Sequence, residues 1–256
     1  ARCPLPHPSF APMSPVDPAL AAREIEPGLV IRQITPPLKL SDFKLIAFDM
    51  DSTLINIECI DEIADEAGRK AEVAAITEAT MRGEIEDFKD SLRQRVDKLK
   101  GVSRAHLEHV YTERLQLSPG AAELVAACQR AGLKTLLVSG GFTFFSERIR
   151  DLLKLDFARA NALEWDGDVL TGRITAQSWG DIVDGEHKRQ TLLDVASLMG
   201  ISPAQCIAVG DGANDLPMMR AAGLSVAYHA KPRVRGEAKV AINEGGLDRL
   251  LRVVQP

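Results

Sequence analysis

Residues 44–53 read KLIAFDMDST, and the fold turns on how that stretch is read. Lys44 to Phe48 is a short apolar run, long enough for a strand buried on both faces and too short for a helix. It stops at Asp49. The segment Asp49-Met50-Asp51-Ser52-Thr53 then places two carboxylates two residues apart at the strand's carboxyl end. In an open parallel sheet that end is where ligands bind.

Downstream of this strand the chain is helical from about Glu58 to Leu115. Gly68, Gly83 and Gly101 cut it into about four helices, and Ser103 is placed to cap one of them. Ser118-Pro119 restarts the pattern, with serine as cap and proline at the first helical position. From there helices alternate with apolar strands. Helix Ala121–Ala131 precedes strand Lys134–Val138, and helix Phe142–Leu153 precedes a strand near Phe157–Ala160. Ala162–Trp165 and Val169–Ile174 flank Asp166-Gly167-Asp168, a hairpin turn. Helix Lys188–Met199, strand Cys206–Val209, helix Asp215–Ala222 and strand Leu224–Ala227 follow. Such alternation predicts a doubly wound parallel sheet with helices on both faces, and the all-helical block after the first strand reads as an insertion. Upstream, nine of the 14 prolines fall in the first 37 residues. They forbid regular helix there. Residues 1–41 read as an extended arm with one short strand at Leu29–Ile34, free to pack on the body or on a second copy of the chain in a homodimer.

The chain has 256 residues, a net charge of -5, 45% hydrophobic and 26% charged residues. That suits one medium soluble domain with an insertion, or two small domains. No basic stripe points to nucleic acid. No apolar run approaches the roughly 18–20 residues a membrane span needs, and no leader segment is visible. The four cysteines form no CxxC pair. A reducing cytoplasm fits them better than a disulfide framework or a zinc site.

Three further polar clusters join Asp49 and Asp51. Val138-Ser139-Gly140-Gly141-Phe142 follows a strand and opens a helix. It offers a hydroxyl and exposed backbone N–H groups to an anion. Lys188 stands near the start of a helix, where the dipole disfavours a cation unless an anion is present. Gly210-Asp211-Gly212-Ala213-Asn214-Asp215 follows a third strand and adds two acids. Carboxylates, a hydroxyl, a cation and close-approaching backbone together make a kit for a phosphoryl group and a divalent cation.

The ordered set FDMDSTL, VSGGF, a lysine and GDGANDLPM resembles the haloacid dehalogenase superfamily. DMDSTLINIECIDEIA, SLRQRV, LLVSGGF and VGDGANDLPMMRAAGLSVAYHAKP are similar to the bacterial phosphoserine phosphatases, over about Asp42 to Val254. That resemblance implies a Rossmann-like core formed by residues 42–56 and 118–256, a helical-bundle cap formed by 57–117, and a small β-hairpin. It implies hydrolysis of O-phospho-L-serine with Mg2+, closing serine biosynthesis through an aspartyl-phosphate. A phosphotransferase that passes the group to an alcohol such as homoserine would use the same residues. Asp49 would be the nucleophile, and Asp51 would protonate the leaving oxygen. Asp49, the Asp51 carbonyl and Asp211 would hold magnesium, with Asp215 behind them. Ser139, Gly140, Lys188 and Asn214 would cradle the phosphoryl oxygens. In the cap, Glu58 would meet the substrate ammonium and Arg95 its carboxylate, with Met81 and Phe88 as walls. Between Met81 and Phe88 the chain carries one residue more than the usual pattern, GEIEDF against GELDF.

Overall fold

The computed structural model describes residues 21–180 and 182–255. Eleven strands and nine helices follow one another along them. Strands β1 (Arg23–Glu26), β2 (Leu29–Ile31), β3 (Leu38–Lys39) and β4 (Leu45–Phe48) come first, and a single wide turn, Met50–Leu54, follows β4. Helices α1 (Cys59–Glu66), α2 (Lys70–Met81), α3 (Phe88–Asp97) and α4 (Arg104–His109) then run without an intervening strand. The chain continues through α5 (Ala121–Arg130), β5 (Lys134–Phe142), α6 (Thr143–Leu153), β6 (Phe157–Asp166), β7 (Val169–Thr175) and α7 (Gly185–Leu198). It ends with β8 (Cys206–Gly210), α8 (Leu216–Ala221), β9 (Leu224–Tyr228), α9 (Pro232–Glu237), β10 (Val240–Ile242) and β11 (Val254–Gln255).

Nine of the strands form one sheet in the order β1-β2-β10-β9-β8-β4-β5-β6-β7. The six from β10 to β6 run parallel, and antiparallel pairs close both edges. Strands β4, β8, β9 and β10 are buried at every residue, which explains their unbroken apolar sequences. Side chains alternate across the sheet. Ile46 and Phe48 join the core with Leu124, Val125, Phe145 and Ile149 of α5 and α6. Leu45 and Ala47 join the core with Leu192, Met218, Met219 and Val234 of α7, α8 and α9. The doubly wound sheet expected from the alternation is therefore present.

Three differences from the expected layout concern strands. The segment read as an arm contributes β1 and β2 to the sheet. Its stretch Leu29–Ile34 forms only Leu29–Ile31, which pairs with β10. The proline-rich residues 1–20 lie outside the described residues. Strand β5 also does not stop at Val138. It runs on through the two glycines to Phe142, with a register break against β6 between Val138 and Phe142. The separate strands read at Phe157–Ala160 and Ala162–Trp165 are one, β6.

Helices α1–α4 are joined to the sheet by two adjacent passages of chain. The Asn56 amide donates to the Gln116 carbonyl at 3.0 Å, and the Ser118 amide to the Leu54 carbonyl at 2.9 Å. No helix among the described residues is long and apolar enough to cross a membrane.

Candidate active site

Strand register assembles the site. Phe48 lies between Leu137 of β5 and Val209 of β8, so the three strands are level at this point. One residue further along, β4 presents Asp49. The neighbouring strands present Ser139 and Asp211 just beyond the same level. These side chains meet at the bottom of a cavity of about 550 Å³, lined also by Asp51, Glu58, Asp61, Thr77, Thr80, Phe88, Leu92, Arg95, Gly140 and Asn214.

Lys188 lies under this floor. It is fully buried, with its Nζ 2.8 Å from Asp49 Oδ1 and 2.7 Å from Asp215 Oδ1. Burial pulls its pKa down, but the charges of Asp215 and Asp49 outweigh that and hold it above its ordinary value. These two carboxylates are the anions that explain a cation in the first turns of α7. Asp215 is itself completely buried. Its other oxygen accepts from the amides of Asp211 and Gly212 at 3.1 and 3.0 Å.

The remaining acids are left with excess negative charge. Burial, then the charge of Asp215, pushes the Asp49 carboxyl well above the usual range, with Lys188 pulling the other way. Burial, then Asp215 and Glu58, raises Asp211 to about 7. Burial, then Glu58, raises Asp51 to about 7. Asp49, Asp211 and Asp215 each offer an oxygen within 4.8 Å of the others. Clustered hard oxygens whose ionised forms repel one another suit a divalent cation. Thr53 donates to Asp211 Oδ1 at 3.4 Å, and the Met50 amide donates to Asp49 Oδ1 at 2.7 Å.

The serine–glycine segment closes one side. The Gly141 amide donates to Ser139 Oγ at 2.9 Å. A Cβ on Gly141 would lie 2.9 Å from both Asp51 Oδ2 and Met50 Cε, so a side chain here would displace the carboxylate. Asn161 secures the segment from behind, donating to the Gly140 carbonyl and accepting from the Val183 amide, both at 2.8 Å.

The opposite wall is helical. Glu58, the N-cap of α1, is exposed, and its Oε1 accepts from Ser52 Oγ at 2.6 Å. Phe88, Leu92 and Arg95 come from one face of α3. Burial lowers the pKa of Arg95, with Asp61 and then Glu58 acting against it. Two buried polar atoms of this cavity, Asp51 Oδ1 and Arg95 Nε, have no hydrogen-bond partner in the protein, and a polar ligand would satisfy both.

Of the residues singled out in the sequence, the structure brings Asp49, Asp51, Asp211, Ser139, Gly140, Asn214, Glu58, Phe88 and Arg95 around the cavity, with Lys188 and Asp215 beneath it. Met81 is the correction. It is 78% exposed, and Thr77 and Thr80 line the cavity in its place. Each helical step turns about 100°, so with Thr80 facing inward the next residue, at the helix end, points to solvent. Asp61, Thr77, Thr80, Leu92, Thr53 and Asn161 were not singled out. Leu92 was recoverable, because it follows Phe88 by one helical turn. Thr53 was recoverable from the same short run as the two aspartates.

Comparison with known proteins agrees with this geometry. A family model, haloacid dehalogenase-like hydrolase, matches residues 43–223. The chain is 71% identical to the phosphoserine phosphatase of Polaromonas sp. strain JS666, over 91% of this chain and 98% of that protein. Two solved phosphoserine phosphatase structures, one a substrate-bound complex and one a phospho-aspartyl intermediate analogue, are each 38% identical. Each covers 83% of this chain and 99% of its own, with a TM-score of 0.75. The match of the family model and the likeness to these relatives identify the chain as a member of the haloacid dehalogenase-like hydrolases and, within them, of the phosphoserine phosphatases.

Proposed function

We propose that this chain hydrolyses O-phospho-L-serine to serine and inorganic phosphate, with Asp49 as nucleophile. One observation carries the reading. A single cavity has phosphoryl-handling groups on its floor and, on the facing wall, a carboxylate and a guanidinium, Glu58 and Arg95. That charge pair complements the ammonium and carboxylate of an amino acid.

The roles follow from the contacts. Met50 and Lys188 both engage Asp49 Oδ1, which leaves Oδ2 to attack phosphorus. As the Asp49–phosphorus bond forms, the bond from phosphorus to the serine oxygen breaks, and Asp51 passes its proton to that oxygen. A carboxyl raised to about 7 is suited to this task near neutral pH. In the second half, ionised Asp51 takes a proton from water. The water oxygen bonds to phosphorus and frees Asp49 and phosphate. Ser139, the Gly140 amide, Asn214 and Lys188 orient the phosphoryl oxygens. The acidic set fits magnesium, which would be held by Asp49, Asp211 and the Asp51 carbonyl, while Asp215 fixes Lys188 and the Asp211 loop. When bound, it would neutralise phosphoryl oxygen charge. Residues 57–117 act as the cap of a core made of 42–56 and 118–256. A reducing compartment such as the cytoplasm suits the free, buried Cys59, Cys128 and Cys206.

The test is a profile of phosphate release from small phosphomonoesters with magnesium. The expected kcat/KM for phosphoserine exceeds that for an aryl phosphate by at least about a hundredfold, within the ~10⁴–10⁵ that a site built to hydrogen-bond its substrate can reach. A clear preference for another monoester overturns the reading. So does transfer to added homoserine without phosphate release.

A further inference from the structure

The helices that wall the cavity are not equally held. Helix α3 is tied to the sheet at both ends. At its start, Lys89 Nζ lies 3.6 Å from Asp184 Oδ2 at the N-cap of α7, and Phe88 Cζ would meet a Cβ on Gly140 at 3.4 Å. Beyond its end, the chain forms a short ladder with the β6–β7 hairpin. The Gly101 amide donates to the Leu170 carbonyl at 2.7 Å. The Leu170 amide donates to the Val102 carbonyl and the Arg104 amide to the Asp168 carbonyl, both at 2.8 Å. Ser103 and Val169 form an antiparallel bridge, and the Arg104 guanidinium sits 4.2 Å from the centroid of the Trp165 ring. Gly172 of β7, at φ +83°, approaches so closely that a Cβ would lie 3.0 Å from Lys100 Cβ and 3.2 Å from the Asp97 carbonyl oxygen.

Among the described residues, α2 has no such ties. It packs chiefly on α1 and α3, Val73 is its one buried residue, and residues 82–87 after it are exposed apart from half-buried Ile85. Few buried apolar contacts mark the parts of a protein that open first.

We propose that the β6–β7 hairpin is the anchor of substrate selection. Through Gly172 and the 101–104 ladder it fixes α3, and with it Arg95, relative to Asp49, so that substrate enters by movement of α2 and residues 82–87 alone. Gly172 is thus a positioning residue for Arg95. The inference rests on the assignment of Arg95 to the substrate carboxylate.

Hydrogen exchange on the intact protein tests the anchor directly. Amides of α3 and of residues 101–104 should exchange at least about tenfold more slowly than those of α2. Equal rates, or the reverse order, overturn the proposal. Kinetics test the positioning. A β-branched residue is strained at positive φ, and Gly172→Val also pushes on Asp97 and Lys100. Its KM for phosphoserine should rise about tenfold, short of the ~100-fold that a 1 Å misplacement can cost. Its KM and kcat for p-nitrophenyl phosphate should stay within about twofold. Equal changes for both substrates, or no change for either, overturn the role of Gly172. Should that variant not fold, Arg104→Ala removes the cation from Trp165 and should show the same split at about threefold, restored by Arg104→Lys. Loss of the split in Arg104→Ala overturns the proposal in the same way. Arg95→Ala, run in parallel, separates the two ideas. A phosphoserine KM that it leaves unmoved refutes the assignment of Arg95 itself. One that it raises, beside a Gly172→Val variant without the split, refutes only the anchor.

Discussion

The floor and the helical wall of the cavity are built on opposite terms. Beneath the floor, Lys188 and Asp215 show no exposed surface and Asp49 only 5%. Their charges are paired at 2.7–2.8 Å, in a setting where each interaction is strong and each missing partner costly. On the wall, Glu58 is exposed and Arg95 half-buried, the first at the start of α1 and the second on α3, which packs on α2 and on β7. Bond making needs groups that do not move at the moment of reaction. Recognition needs a wall that can let the substrate in. The two demands are met by placing them on different layers of the fold.

The sharpest way to break this contrast is at the floor. Asp49→Asn should lower kcat by about 10⁴-fold or more, as loss of a nucleophile does, with circular dichroism unchanged. Appreciable turnover would remove Asp49 from its role. Lys188→Met strands Asp49 and Asp215 without their cation. Denaturant unfolding of the metal-free protein should show a loss of about 3–5 kcal/mol, and a loss under 1 kcal/mol would mean that the floor is not electrostatically closed.

The acids above Lys188 set a pH dependence whose sign is fixed by their raised pKa values. The unfolded chain releases these protons near the ordinary aspartate value of 3.8, while folded Asp51 and Asp211 hold them to about 7. Between roughly pH 4 and 7 the folded state therefore binds more protons, and metal-free stability falls as pH rises. Calorimetry of the metal-free protein should show Tm declining across that window. Magnesium at a concentration a hundredfold above its dissociation constant at pH 8 should raise Tm there by roughly 5–10 °C, and the same concentration should raise it less at pH 5. A larger gain at pH 5 would contradict the acidic site.

On the wall the effects should be smaller. Arg95→Ala should raise the KM for phosphoserine by about tenfold to a hundredfold, the worth of a hydrogen bond to a charged group, while leaving an aryl phosphate nearly unaffected. Met81→Ala should change KM by less than about twofold and stability by less than about 0.5 kcal/mol, as expected of an exposed residue. A tenfold KM effect would restore Met81 to the wall.

The same division governs what could be read in advance. Asp49, Asp51 and Asp211 follow apolar strands directly, so local spacing places them. Lys188 was visible as a misplaced cation, but its partners across the fold were not. Asp61, Thr77 and Thr80 face the cavity only because of how α1 and α2 pack, which no single helix encodes. Asn161 bonds only backbone groups distant in sequence, Gly140 and Val183, and so leaves no local trace. The pairing of β2 with β10 escaped for the same reason. A three-residue strand shows little pattern of its own, and its partner lies at the other end of the described chain.

That last pairing bears on how the protein is made. Leu29–Ile31 leaves the ribosome about 210 residues ahead of its neighbour Val240–Ile242. At about 5–20 residues per second, the early strand waits on the order of 10–40 s with its hydrogen-bonding edge unmatched. Next to it stands Arg23–Glu26, whose sequence REIE carries three charges in four residues. Charge on an edge strand discourages pairing with other chains. In the finished sheet this charged strand forms the outer edge beyond β2, while the edge of β2 that waits is the opposite one, which β10 covers.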